Sequence, residues 1–245
     1  MIEIKDLCKV YSSDTKEVVA LNNINLEIND GEIFGFIGPN GAGKTTTIKC
    51  IMGLIPYDNG KILFNNIDNK KNPIEFKKNV IYIPDNPDLY DSLTGIQFLN
   101  FIADIYEISK EQRQMDINKY SELFDLKKSL GDLISSYSHG MKQKLCLISA
   151  FLRHPKLLIL DEPFVGLDPE ASKHVKELMK ELCNEGGSVF FSTHVLEVAE
   201  KLCDHIAIIK NGQLVACGTM EEVKGDQSLE DVFFDIAAKK EDLNE

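Results

Sequence analysis

The residues Gly38-Pro39-Asn40-Gly41-Ala42-Gly43-Lys44-Thr45-Thr46 satisfy the spacing G-x-x-x-x-G-K-[ST] of a loop that cradles phosphates. A polyphosphate is bound by backbone N–H groups, which converge only where side chains leave room, and Gly38, Gly41 and Gly43 leave it. A helix beginning near Lys44 would aim its partly positive end at the same point, with Lys44 reaching the β- and γ-phosphates and Thr45 offering a hydroxyl to Mg²⁺. Farther along, Leu157-Leu158-Ile159-Leu160 runs into Asp161-Glu162-Pro163. Carboxylates after so apolar a run are costly unless they meet a cation, and a solvated acidic turn fits poorly there. Asp161 is suited to hold Mg²⁺ and Glu162 to polarise an attacking water.

Three more positions carry chemistry of a less local kind. Tyr11, at the end of an N-terminal strand, could stack on an adenine ring or be an ordinary strand aromatic. Asp85 opens the polar, non-helical segment Asp85-Asn86-Pro87-Asp88 after the strand Val80 to Ile83, a place for function or for a plain linker. The strand Ser188 to Ser192 is followed at once by Thr193-His194, where a histidine is either solvent-facing or a ligand.

The elements that must position these groups are legible in the apolar spacing. Ile33, Phe34, Phe36 and Ile37 form a short run of the kind buried in a parallel sheet, and Ile48, Ile51, Met52 and Ile55 recur at helical spacing after the loop. These flanks weigh against the alternative of a simple glycine turn. The segments up to Tyr11 and from Val18 to Ile28 read as antiparallel β. From Thr94 to about Ile148 the chain turns helical: Thr94 can cap one helix, Ser109-x-x-Gln112 reads as a capping box for the next, and a third begins near Gly140. Asp168-Pro169 starts a helix running to about Cys183, and His205 to Ile209, Asn211-Gly212 and Gln213 to Cys217 make a hairpin.

The chain's 245 residues suffice for a substantial core. Its net charge of −12 argues against DNA or RNA as the main partner, because that affinity rests on lysines and arginines. Six dispersed cysteines form no C-x-x-C pair and read as buried, reduced thiols. There is no signal-peptide pattern, and no apolar run approaches the roughly 20 residues of a membrane helix, so the expectation is a soluble, cytoplasmic protein.

Phosphate loop, helical insert, Tyr137-Ser138-His139-Gly140-Met141-Lys142-Gln143, the acidic strand, Leu167-Asp168 and His194 in that order resemble the ATP-binding cassette of ABC transporters over nearly the whole chain. The resemblance implies an α/β fold, a P-loop NTPase cassette with a mixed sheet core, a small antiparallel β subdomain and an inserted helical subdomain. It places the cassette at 2–227, the helical subdomain at about 86–150 and an acidic C-terminal tail at 228–245. It implies a head-to-tail dimer, homodimeric or heterodimeric, with ATP and Mg²⁺ between the subunits. Residue by residue, Tyr11 falls at the adenine-stacking position, Gly38 to Thr46 at the phosphates, Asp161 at the magnesium and Glu162 at the general base. Asp168 matches the cross-dimer contact and His194 the γ-phosphate sensor. Ser138 and Gly140 match contacts to the γ-phosphate of the ATP held by the other subunit.

Two departures stand out. Where the family's signature reads Leu-Ser-Gly-Gly-Gln, this chain has the bulky His139, and where most members carry a magnesium-sensing glutamine it has Asp85. The resemblance implies an ATPase subunit that energises a separate transmembrane permease, peripheral at the inner face of the cell membrane and without nucleic acid as partner. The Asp85 variant, the signature form and the Leu229-Glu230-Asp231-Val232-Phe233 ending resemble export systems. The rival is a soluble cassette ATPase of translation or of chromosome and DNA maintenance, whose usual second cassette or long coiled coil this chain lacks.

Overall fold

The computed structural model describes residues 1–13 and 16–238. Its centre is a six-stranded sheet in the order β10-β9-β3-β8-β7-β6. Strands β3 (Ile33–Ile37), β6 (Val80–Ile83), β7 (Leu157–Asp161), β8 (Ser188–Thr193) and β9 (His205–Lys210) run parallel, while β10 (Gln213–Thr219) closes the edge as the antiparallel arm of a hairpin with β9. Every residue of β3, β7 and β8 is buried, which is why their sequences are continuous apolar runs and not alternating ones.

Successive side chains of these strands enter two different cores. Ile33, Ile37, Leu158 and Leu160 face one side, and Phe34, Phe36, Leu157 and Ile159 face the other. The second core is shared with α1 (Lys44–Ile51) and with a four-stranded antiparallel sheet of order β2-β1-β4-β5, where β1 is Ile2–Ser13, β2 Lys16–Ile28, β4 Asn59–Phe64 and β5 Ile67–Asp68. The first core is shared with α3 (Gly95–Ile105), α4 (Lys110–Leu123), α5 (His139–Phe151) and α6 (Pro169–Asn184). Shown thereby is the α/β cassette architecture expected from sequence, with its mixed sheet and its antiparallel sheet.

Capping follows the sequence with one difference. Thr94 forms a complete capping box with Gln97 at the start of α3, whereas at α4 only half of the expected box exists. The Gln112 backbone N–H donates to Ser109 Oγ at 3.2 Å, but the Gln112 side chain turns away and donates to Asp116 Oδ2 at 3.0 Å. A carboxylate oxygen is a strong acceptor, and the amide goes there. Ser138 caps α5 and Asp168 caps α6. Two further short helices, α2 (Pro73–Asn79) and α7 (Leu196–Leu202), were not anticipated.

After α8 (Met220–Lys224), the segment expected as an acidic tail begins with α9 (Leu229–Ala238), whose first residue Leu229 is fully buried. The remainder of that tail lies outside the described residues. The cysteines divide: Cys50, Cys146 and Cys203 are buried free thiols, Cys8 and Cys183 are partly buried, and Cys217 is exposed, contrary to the expectation of burial for all six. Burial pushes the Cys50 thiol up to about 11 and Cys146 to about 12, so neither is a ready nucleophile. No helix among the described residues is long and apolar enough to cross a membrane.

Candidate functional site

Three strand ends meet at one edge of the central sheet. β3 delivers the loop from Gly38 to Gly43, β7 delivers Asp161 and Glu162, and β8 delivers Ser192 and Thr193 followed by His194. The loop opens a cavity of about 520 Å³ lined by Tyr11 and Val18 at one end, by Gly41, Lys44, Thr45 and Thr46 in the middle, and by Asp85, Asp161 and Glu162 at the other. A groove of about 610 Å³ lies elsewhere, beside Asp116, His154 and Glu181, and contains none of the expected residues. The smaller cavity is the one that gathers phosphate-binding chemistry.

The loop can take its course only with glycine at its last position. Gly43 sits at φ +114°, and a Cβ there would lie 2.9 Å from the Ala20 carbonyl. The turn brings Lys44 under the loop, where its buried ammonium donates to the carbonyls of Gly38 at 2.6 Å and Pro39 at 3.3 Å and lies 3.7 Å from Glu162 Oε1. Burial holds the Lys44 pKa below its ordinary value, while Glu162 and Asp161 act in the opposite direction. A phosphate arriving in this cradle would add negative charge beside the desolvated ammonium.

Thr45 Oγ1 donates to Asp161 Oδ2 at 2.8 Å, and Ser192 Oγ donates to the other oxygen of the same buried carboxylate. One carboxylate and one hydroxyl side by side are hard oxygen donors of the kind Mg²⁺ takes when phosphates and waters complete its shell. Among the described residues no group of three or more His, Cys, Asp or Glu forms a metal cage. The donor set therefore fits a magnesium shared with a phosphate ligand better than one held by protein alone.

Glu162 sits at φ +49°, an unusual conformation for a residue with a Cβ, and its N–H donates to the Ser192 carbonyl at 3.1 Å. This turn directs its carboxylate back toward the cavity, where Oε1 lies 2.9 Å from His194 Nδ1. Asp85 stands on the same side. Burial raises the Asp85 pKa, the charges of Asp161 and Glu162 raise it further, and His139 and His194 pull it down. Tyr82, in the strand leading to Asp85, is also raised, by burial above all.

At the opposite end, Tyr11 pairs with Val18 across the β1–β2 ladder and is 44 % exposed, with Lys9 Nζ 5.2 Å from its ring centre. An exposed ring face at the mouth of the cavity leaves room for stacking.

The remaining expected residues are elsewhere. Ser138, Gly140, Asp168 and His194 are not among the residues lining this cavity, and of these His194 touches it through Glu162. Ser138 Oγ accepts from the Met141 N–H at 3.2 Å as cap of α5. Asp168 accepts from the Ala171 N–H at 2.8 Å as cap of α6, and its other oxygen pairs with Lys144 at 2.6 Å. The capping bond and then Lys144 hold the Asp168 carboxyl below its ordinary range. Sequence reasoning missed Ser192 and Lys144. The first is the only hydroxyl of β8 pointing at the β7 carboxylate in register, Asp161 being paired with Ser192; the second follows Asp168 only through the fold.

The family model described as "ABC transporter" matches residues 21–165. The chain is 36% identical over 247 residues to the ABC-type transporter ATP-binding protein EcsA of Bacillus subtilis (strain 168), covering 99% of this chain and 98% of that protein. It is 34% identical over 223 residues to the linearmycin resistance ATP-binding protein LnrL of the same organism, covering 91% of this chain and 70% of that one. A solved structure of an ATP-binding subunit of an ABC transporter superposes with a TM-score of 0.91 at 34% identity, covering 97% of this chain and 99% of that one.

Proposed function

This chain belongs to the ABC transporter family of ATP-binding cassettes, and from that premise we propose that it hydrolyses ATP to drive a separate transmembrane permease, through ATP-dependent head-to-tail dimerisation. One observation carries the reading: Tyr11, Lys44, Thr45, Asp85, Asp161 and Glu162 line one cavity, while Ser138 and Gly140, which the cassette pattern assigns to the same phosphate, are not among its lining residues. A second subunit, turned head to tail, would bring its Ser138 and Gly140 to this cavity.

Each side chain then has a defined task. The loop from Gly38 to Thr46 receives the phosphates on its N–H groups and the α1 N-terminus, with Pro39, Asn40 and Ala42 shaping the backbone between the glycines. Lys44 exchanges its two carbonyl partners for phosphate oxygens. Thr45 and Asp161 would hold Mg²⁺, which when bound neutralises charge developing on the phosphate oxygens. Glu162 accepts a proton from the attacking water, His194 orients that carboxylate and senses the γ-phosphate, and Asp85 takes the place of the magnesium-sensing glutamine. Tyr11 stacks on the base, and Asp168 contributes the cross-dimer contact.

An export role is supported by the resemblance of the chain's ending and its signature form, and by its likeness to a protein named for linearmycin resistance. Affinity purification of the tagged chain from detergent-solubilised membranes tests the transport reading. A multispanning partner in stoichiometric amount is the expected result; retention of ribosomes or chromatin proteins in its place would favour the soluble ATPases.

A further inference from the structure

The signature turn departs from its family pattern at His139, and the structure gives this side chain a specific neighbour. Gly166, in the loop between Glu162 and Asp168, has φ +78° and no Cβ; a Cβ placed there would lie 2.6 Å from His139 Cδ2 and 3.1 Å from Nε2. The imidazole therefore rests on the Gly166 backbone. Next to it, a Cβ on Gly140 would lie 2.8 Å from the Gly166 carbonyl oxygen, so the start of α5 and the loop touch backbone to backbone. One turn farther along α5, Lys144 reaches the same loop through its 2.6 Å contact with Asp168. The loop is short and tightly wound, with the Val165 N–H donating to the Glu162 carbonyl at 3.2 Å and the Leu167 N–H to the Phe164 carbonyl at 3.4 Å.

We propose that His139 is a positioning residue that clamps residues 163–167 against the N-terminus of α5, so that the signature turn and the Glu162 carboxylate keep a fixed relation. The argument is geometric. Glycine at position 139 would leave the Gly166 backbone uncovered on one side, with only Lys144 and the Gly140 contact retaining the loop. Glu162 is the residue from which the loop springs, at a left-handed φ that its surroundings must hold. Loosening the loop lets that carboxylate wander from its position beside His194. The consequence for catalysis rests on the reading of Glu162 as the base; the clamp itself does not. Because Ser138 is the immediate neighbour of His139, the clamp would also link the phosphate contact made in the partner's site to the base of this chain's own site.

The test uses the full chain and compares His139→Gly, Gly166→Asn and the double variant. Hydrogen exchange in the nucleotide-free protein reads the clamp without any assumption about catalysis: His139→Gly should raise exchange of the 163–168 amides while leaving β7 and β8 protected. Steady-state ATPase then reads its use. His139→Gly should lower kcat about tenfold or more with KM for ATP within about twofold, as misplacement of a reacting group does. Gly166→Asn should be harmful in the native background, where its side chain meets the imidazole. In the His139→Gly background it should restore protection and most of kcat, because asparagine tolerates left-handed φ and fills the vacated space. Unchanged exchange in His139→Gly, or additive losses in the double variant, would overturn the clamp. Altered exchange with undiminished kcat would retain the contact and remove its role in positioning the base. A native protein without ATPase activity, with exchange behaving as described, would overturn the hydrolytic reading and leave the clamp standing.

Discussion

Glu162 is held at both ends, by a left-handed backbone bonded to β8 and by a carboxylate fixed between His194 and Lys44. Removing His194 should leave nucleotide binding to the loop and release the carboxylate. His194→Ala is expected to lower turnover by about 10²-fold or more with ATP affinity nearly unchanged, which single-turnover and equilibrium binding measurements separate. Lys44→Ala should act the other way, weakening ATP binding itself, because on the proposed reading its ammonium would bond the phosphates directly. Asp85 gives a pH prediction. Its carboxyl pKa is raised in the folded chain by burial and by Asp161 and Glu162, so the folded state holds its proton more tightly than the unfolded state does. Stability therefore falls as pH rises from the ordinary carboxylate value through the raised one. Asp85→Asn should raise the Tm at neutral pH, with the gain vanishing below pH about 4, and a gain independent of pH would contradict this. Asp85→Ala should lower magnesium-dependent, partner-stimulated turnover more than ATP affinity. The loop, Asp161 and Glu162 were readable because their chemistry is contiguous in sequence. Ser192 and the His139 contact were not, because they depend on register between strands and on a loop 27 residues away from the histidine.

At the level of elements, strands were easier to read than the helix that follows them at the C-terminus. β3 and β7 announce themselves as unbroken apolar runs, since both faces are covered. The segment after Ser228 reads as acidic tail from its composition, yet Leu229, Val232, Phe233 and Ile236 recur at helical spacing and pack on the core. Ser228 and Asp231 exchange bonds at the start: the Asp231 N–H donates to Ser228 Oγ at 3.1 Å, and Ser228 Oγ donates to Asp231 Oδ2 at 2.6 Å. Net charge masked periodicity there. Because Leu229 is completely buried, Leu229→Ala should destabilise the chain by about 2–5 kcal/mol. Urea denaturation measures this, and a shift below about 0.5 kcal/mol would mean that α9 does not dock on the domain.

For the whole molecule, the proposed head-to-tail dimer requires that one chain contribute to two different nucleotide sites. Lys44, Thr45, Asp161 and Glu162 line the cavity, and Ser138 does not. Mixing Lys44→Ala and Ser138→Arg subunits, each inactive alone, should return some hydrolysis, since a head-to-tail dimer then has one site with both lesions and one with neither. Ser138→Arg monomers should bind ATP nearly as the native chain does. If they lose binding as severely as Lys44→Ala monomers, the serine serves its own subunit's nucleotide. Head-to-tail closure on ATP is read most directly by analytical ultracentrifugation of Glu162→Gln protein, which should bind nucleotide without turning it over. The expected result is a monomer without nucleotide, a dimer holding two ATP molecules with it, and loss of that dimer when Ser138→Arg is added. Glu162→Gln protein that stays monomeric at saturating ATP and magnesium, or that hydrolyses ATP at the native rate, would contradict it.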